Sequence, residues 1–436
     1  MRATALISIG MVALMLPTCG GDEDGQEPDI PPARALDASG CSPVAYGGPG
    51  RPDLLIAGST ALQGQFLDHG VQVSQALKLV LAERDWRAGE YNVGLQVCDE
   101  TTAAMSDDSD PERCRSNARA FSRNRSVVAY AGPWSSTCAV VMLPILNRTR
   151  GGPLAAISGS SSYLGLTRMG PGVGRGEPAK YFPTGQRGFV RVIPADDVQA
   201  AAGAVFVKRQ GAGSVFVLND DQPYGFGLAE AFRVTAERTG LRLAGTEAWD
   251  PDARDYRELA DRVRAAGADA VYLGGFVFNN GVRLIEDLRA ALGSEALIVG
   301  PDGFSTPGLI VEGAGPAAEG FTYTIPTLPN DELPAPGREL AAEFERRYLS
   351  APCCFAVQAA QSASMIMDAV EDSDGSRSQV TENLRDARVE EGYLGDFAID
   401  RYGDTTLTTI GVYRIEEGRS RFETGVAPAA ELLARR

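Results

Sequence analysis

The sequence predicts an α/β protein of two similar lobes in series, each built on a parallel sheet. Three observations carry that expectation. Strand-like and helix-like runs alternate along the chain, an order that implies parallel strands with right-handed crossovers. The strands read as continuous apolar runs rather than strict alternation, which suits sheets buried on both faces. The alternating series occurs twice over 436 residues, a length that suits two or three domains.

In the first series, strands are expected at 53–58, 92–98, 126–131 and 153–157, with amphipathic helices at 71–84, 113–124 and 139–147. The Gly- and Pro-rich stretch 167–188 reads as an inserted surface loop. The second series places strands at 214–218, 241–249, 268–273 and 296–299, and helices at 226–239, 255–266 and 281–292. Helices at 337–349, 355–371 and 379–387 follow, and strands at 397–399 and 406–414 close the chain.

Composition is that of a globular protein, 44% hydrophobic and 22% charged. The formal net charge of −16 makes nucleic acid and anionic lipid poor partners. At the N-terminus Arg2 precedes an apolar run, 3–16, too short to span a bilayer as a helix but right for a signal-peptide core. Leu16-Pro17-Thr18-Cys19-Gly20 resembles a lipobox, which implies a signal peptide at 1–18 and a lipidated Cys19. A plain secretory signal with an incidental cysteine is the alternative. The polar, acidic, Pro-rich residues that follow read as a flexible tether, taken with Cys19 as 19–50. No later stretch reads as a membrane span, so the membrane is expected to be met through the lipid alone.

Seven cysteines leave six once Cys19 is set aside, an even number that suggests disulfides in an exported chain. Cys98 and Cys114 bracket a polar loop and are the favoured pair. Adjacent Cys353 and Cys354 are not expected to bond each other, since neighbours rarely reach disulfide geometry. The pairing of Cys41 and Cys138 stays open. Metal binding is disfavoured, because no CxxC occurs and His69 is the single histidine. Nor is a nucleophile elbow or P-loop present, and Gly170–Gly176 does not open a helix after a strand. Neither cofactor nor catalysis is expected.

At the strand ends the residues become specific. Leu62 to Gly70 (LQGQFLDHG), Ala131 to Thr137 (AGPWSST), Ala156 to Ser162 (AISGSSS), Asn219 to Gly227 (NDDQPYGFG), Leu273 to Phe276 (LGGF), Val299 to Gly303 (VGPDG) and Gly395 to Asp400 (GDFAID) occur in that order. Together they resemble the branched-chain amino-acid and amide-binding family of type 1 periplasmic solute-binding proteins, over 53–412. The resemblance implies two Rossmann-like lobes joined by a three-strand hinge, 51–192 plus 326–394 and 193–325 plus 395–436. Crossings near 192–193, 324–325 and 395–396 would let the lobes close on a ligand.

In open parallel sheets ligands bind beyond the carboxyl ends of strands, where helix N-termini favour an anion. Trp134, Ser135 and Ser136, with Ser160 and Ser162, are therefore expected to face a ligand carboxylate, although Ser and Thr also serve simply as N-caps. The resemblance brings Tyr224, Phe276 and Asp302 from the second lobe. Asp302 would meet an ammonium group, its alternative being a turn former at Pro-Asp-Gly. His69, just before Gly70, stands where relatives place a ligand-facing side chain, and there it would make affinity pH-dependent near 6.5. A lone histidine is otherwise a surface or capping residue. The expected function is an exported, lipid-anchored, monomeric binding protein for an amino-acid-like ligand, working with an ABC permease in the periplasm or at the cell surface. A ligand-sensing module acting on a partner protein, or a non-transport envelope lipoprotein, are the alternatives.

Overall fold

A computed structural model describes residues 32–38, 40–102, 109–353 and 355–433. Cys19, Cys354 and the expected signal peptide lie outside them. The first sheet consists of β1 (Leu54–Thr60), β2 (Arg87–Ala88), β3 (Tyr91–Asp99), β4 (Val127–Ala131), β5 (Ala155–Ser158) and β6 (Phe189–Arg191), in the order β2-β3-β1-β4-β5-β6. All its pairs are parallel except β2 with β3. Every residue of β1 and β4 is buried, as continuous apolar runs require of a sheet covered on both faces. Helices α1 (Leu67–Glu83), α2 (Pro111–Arg123) and α3 (Ser136–Asn147) make its crossovers.

After β6 the chain enters a second unit through α4 (Asp196–Arg209). Here β7 (Ser214–Asn219), α5 (Pro223–Arg238), β8 (Arg242–Ala248), α6 (Arg257–Ala265), β9 (Ala270–Gly274), α7 (Val282–Leu292), β10 (Leu297–Gly300), α8 (Pro307–Ala314) and β11 (Thr322–Ile325) repeat the βα pattern. The chain then returns to the first sheet with α9 (Ala335–Tyr348), α10 (Ala356–Glu371) and α11 (Arg377–Arg385), followed by the hairpin of β12 (Arg388–Gly392) and β13 (Gly395–Ala398). Gly403 still lies against β6, its carbonyl accepting from Arg191 N at 2.9 Å. Only then does the chain cross a third time, into β14 (Ile410–Glu416) and β15 (Arg419–Val426), which complete the sheet β15-β14-β11-β10-β9-β7-β8.

Four expectations need correction. The third crossing, expected near 395–396, comes after Gly403, because β13 pairs with β12 and Gly403 is still hydrogen-bonded to β6. Residues placed in a free tether up to position 50 are docked from Ala33 onward. Ala33 and Leu36 are buried, Leu36 N donates to Gln96 Oε1 at 2.6 Å, and Ala45 bridges Leu95. Cys98 and Cys114 do not pair with each other. Cys98 at the end of β3 lies across a backbone bridge from Cys41 and bonds to it, while Cys114 on α2 bonds to Cys138 on the neighbouring α3. The polar loop between 98 and 114 joins strand to helix, so its two ends belong to different layers. Cys353 is also disulfide-bonded. Lastly, 167–188 is not a simple surface loop: Arg168, Glu177, Tyr181 and Phe182 are all buried.

Candidate functional site

A cavity of about 520 Å³ opens between the carboxyl ends of the two sheets. All nine residues singled out from the sequence line it: His69, Trp134, Ser135, Ser136, Ser160 and Ser162 on one wall, Tyr224, Phe276 and Asp302 on the other. The walls touch where Phe66 of the first meets Phe278 of the second, ring centroids 5.0 Å apart. Gly70 lets α1 start this close to β1, since a Cβ there would fall 1.6 Å from the Ala61 carbonyl oxygen.

The serine wall is stitched to itself. Ser135 caps α3, its Oγ accepting from Cys138 N at 3.0 Å and sharing a hydrogen bond with Ser109 Oγ at 2.7 Å. Ser160 Oγ donates to the Trp134 carbonyl at 2.6 Å, and Ser136 Oγ accepts from Tyr163 N at 3.2 Å. Ser158 and Ser161 both donate to the Pro133 carbonyl, at 2.7 and 2.9 Å. These hydroxyls therefore position the loops first. Beneath them lies Glu100, fully buried at the end of the β3 strand run, whose carboxylate accepts from Trp134 N, Ser135 N, Tyr130 and Ser59. Burial pushes its pKa up to about 7, against those hydrogen bonds. Its ligand-capable oxygen lies near Cys114 and Cys138, but sulfurs joined to each other offer no thiolate to a metal.

On the facing wall Asp302 Oδ1 accepts from Tyr224 OH at 2.6 Å and from Gln199 Nε2 at 2.8 Å. Burial raises its pKa, while these two hydrogen bonds pull the other way. Tyr224 stacks on Phe276 with centroids 4.5 Å apart. Asp302 remains partly exposed to the cavity, so a cationic group there would meet an oriented carboxylate. His69 packs beside Phe66 at 5.6 Å, and burial lowers its pKa below the usual 6.5, with Asp68 opposing. It is thus neutral at pH 7.

A family model described as periplasmic binding protein matches residues 101–420. The chain belongs to the periplasmic binding protein family. Members of this family are solute-binding proteins. This member is 27% identical, over 235 residues, to the leucine-, isoleucine-, valine-, threonine- and alanine-binding protein of Pseudomonas aeruginosa, a match covering 53% of the chain and 61% of that protein. The chain thus spans about three fifths of the length of the first curated relatives it matches. Leu/Ile/Val-binding protein homolog 1 of Brucella suis is 24% identical over 86% of the chain and 94% of its own length. Among solved structures, the leucine-binding protein LivK of Thermotoga maritima superposes with a TM-score of 0.70 at 21% identity, over 86% of this chain and 99% of its own. An R. palustris solute-binding protein in complex with benzoate gives 0.67 at 18%, over 86% and 97%. The fold is the type 1 periplasmic binding protein architecture.

Sequence reasoning missed several residues of this family member's cleft. Phe66 and Phe278 complete the aromatic contact between the walls, and Gln199 reaches Asp302 from α4. Glu177, Lys180 and Tyr181 also line the cavity, from the stretch read as a surface loop. A Gly/Pro-rich stretch carrying Glu-Pro-Ala-Lys-Tyr-Phe, with two aromatics and a charge pair, was the available signal.

Proposed function

We propose that this protein is the extracytoplasmic, Cys19-anchored substrate-binding component of an ABC transporter, and that it takes an amino acid or amino-acid-like molecule into the interlobe cleft. One observation carries the reading: a single cavity has a wall of serine loops and helix N-termini opposite a wall bearing Asp302 held by Tyr224 and Gln199. Uncharged donors on one side suit a carboxylate, and a fixed carboxylate on the other suits an ammonium. Relatives named for branched-chain amino acids support it. Ser136 and Ser162 take the ligand's carboxylate, Asp302 its amine, and Tyr224, Phe276, Trp134 and His69 enclose it, with Ser135 and Ser160 holding the first loop in place. Closure about the three crossings then presents the liganded form to a permease.

The test is a thermal-shift screen of the purified protein against amino acids, amides, aromatic acids and sugars. A ligand at about 100 times its Kd stabilises the folded state by about 2.7 kcal/mol. An amino-acid shift that Asp302→Ala abolishes is the expected result. A shift confined to compounds without an amine would overturn the role of Asp302, and no shift in folded, ligand-free protein would favour a partner-sensing module.

A further inference from the structure

Residues 167–188 leave the second serine loop, pass over the side of the cleft and return to β6. Both ends are fixed. Arg168 contacts Asp404 at 2.6 Å and Asp197 at 3.4 Å, and Arg187 Nη1 donates to the carbonyls of Thr167 and Tyr402 at 2.7 and 3.2 Å. The middle is organised on Glu177, whose two carboxylate oxygens accept from four donors: Tyr163 OH and Tyr181 OH, each at 2.6 Å, Lys180 Nζ at 2.7 Å and Gly174 N at 3.0 Å. Burial works against the ionised form of Glu177, but the hydrogen bonds from Lys180, Tyr163 and Tyr181 outweigh it and hold the pKa below the ordinary carboxylate range. The strap also reaches the other lobe. Gly172, at φ +73°, lies so close to α5 that a Cβ would sit 2.7 Å from Gly227 Cα.

Among the described lining residues Lys180 is the sole lysine or arginine. Its side chain is 51% exposed while that of Glu177 is 7% exposed, so the ion pair is a dipole with its positive end outward. One ammonium hydrogen is engaged by Glu177, which leaves two donors on Nζ for an acceptor in the cavity. The cavity, at about 520 Å³, lies within the range of drug-sized ligands and holds more than a small aliphatic amino acid.

We infer that the 167–188 strap is a specificity wall, and that Lys180 selects an amino acid whose side chain ends in a carboxylate. The inference rests on the amino-acid-binding reading above. With the ligand's ammonium on Asp302 and its α-carboxylate on the serine loops, the distal carboxylate is the remaining charge, and Lys180 is its counterpart. A charge-assisted hydrogen bond of this kind discriminates by about ten- to a hundredfold against a side chain that cannot make it.

Titration calorimetry of the full protein with glutamate, glutamine and leucine tests it. Glutamate is expected to bind at least about tenfold more tightly than leucine. In Lys180→Met the glutamate-to-leucine affinity ratio falls about tenfold, and Lys180→Arg restores most of it. Lys180 is half-exposed, so neither variant threatens folding, which circular dichroism verifies. Leucine binding as tightly as glutamate to the unaltered protein, or a ratio unmoved by Lys180→Met, overturns the role of the strap and leaves amino-acid binding standing. Binding of no amino acid overturns both.

Discussion

Asp404 is the residue whose neutralisation should be felt most widely. Its carboxylate contacts Arg191 Nε at 2.8 Å and Arg168 Nε at 2.6 Å, and all three side chains are no more than 4% exposed. Arg191 also donates to the carbonyls of Ser161 and Tyr163 and to Thr167 Oγ1, tying the second serine loop to the segment that precedes the third crossing. Asp404→Asn keeps the shape but leaves two buried guanidinium groups short of one anion, with Asp197 still 3.4 Å from Arg168. Breaking a buried pair in this way costs about 3–5 kcal/mol. At about 2.1 cal/mol/K of unfolding entropy per residue, some 400 residues melting together would lose roughly 4–6 °C. Urea titration followed by tryptophan fluorescence, with calorimetry alongside, measures the loss. Burial alone would raise the Asp404 pKa, yet Arg191 and Arg168 hold it below the ordinary range. Its contribution is therefore present above the unfolded value of about 3.9 and lost as pH falls through the folded one, so pH 7 reports it in full. A loss under about 1 kcal/mol at pH 7 would refute the view that this buried network holds the crossing.

Three further outcomes are expected. Non-reducing peptide mapping should recover Cys41 linked to Cys98 and Cys114 linked to Cys138. Chain separations of 57 and 24 residues make removal of the first cost about 4 kcal/mol and of the second about 3.5 kcal/mol, so the reverse order contradicts the loop-closure account. The difference in ligand affinity between the parent and His69→Ala should be constant from pH 7 to 8 and change below 6.5, because burial depresses the His69 pKa; a difference whose midpoint lies above 6.5, or one that does not vary with pH, removes His69 as a source of pH dependence. Glu100 and Asp196 are both pushed up to about 7 by burial, so their contribution to stability is complete below about pH 4 and is lost as pH rises through 7, by up to about 1.4 kcal/mol per unit for each group. Comparing Glu100→Gln with the parent across pH 5–7 should show a smaller fall in the variant, and parallel curves would contradict this.

Elements with a strong one-sided pattern were legible from the residues alone. The apolar strands β1, β4, β7 and β9 and the half-buried helices α1, α2 and α7 stand where the runs and periodicities put them. The omissions have a common cause, which is that no pattern marks them. Helix α4 is alanine-rich and buried nearly all round, so nothing distinguishes one face. Strand β15 alternates exposed and half-exposed residues with no apolar run, and β6 and β11 have three and four residues. The serine loops were legible as strand-end loops, whereas His69, Tyr224, Phe276 and Asp302 came from the family resemblance; all nine line one cavity, where the strand ends converge. The strap could not be found that way, since Lys180 and Glu177 owe their place to Tyr163 and Tyr181 rather than to any strand end. The disulfides were misassigned because nearness in sequence favoured Cys98 with Cys114, whereas helix packing and an edge bridge decide the partners.

The mutual stitching of the serine loops has a consequence for how the cleft can change. A wall whose hydroxyls are spent on neighbouring carbonyls tolerates little revision, for each change there loosens two loops together. Phe276 and Lys180 are tied more lightly, the one stacked on Tyr224 and the other paired with Glu177, and both lie partly open to the cavity. On the proposed reading, changes of ligand would fall at those few positions, while the serine loops stay as they are. The loops fixed by one another and the residues left open to the cavity belong to separate pieces of the polypeptide, and each can drift at its own pace.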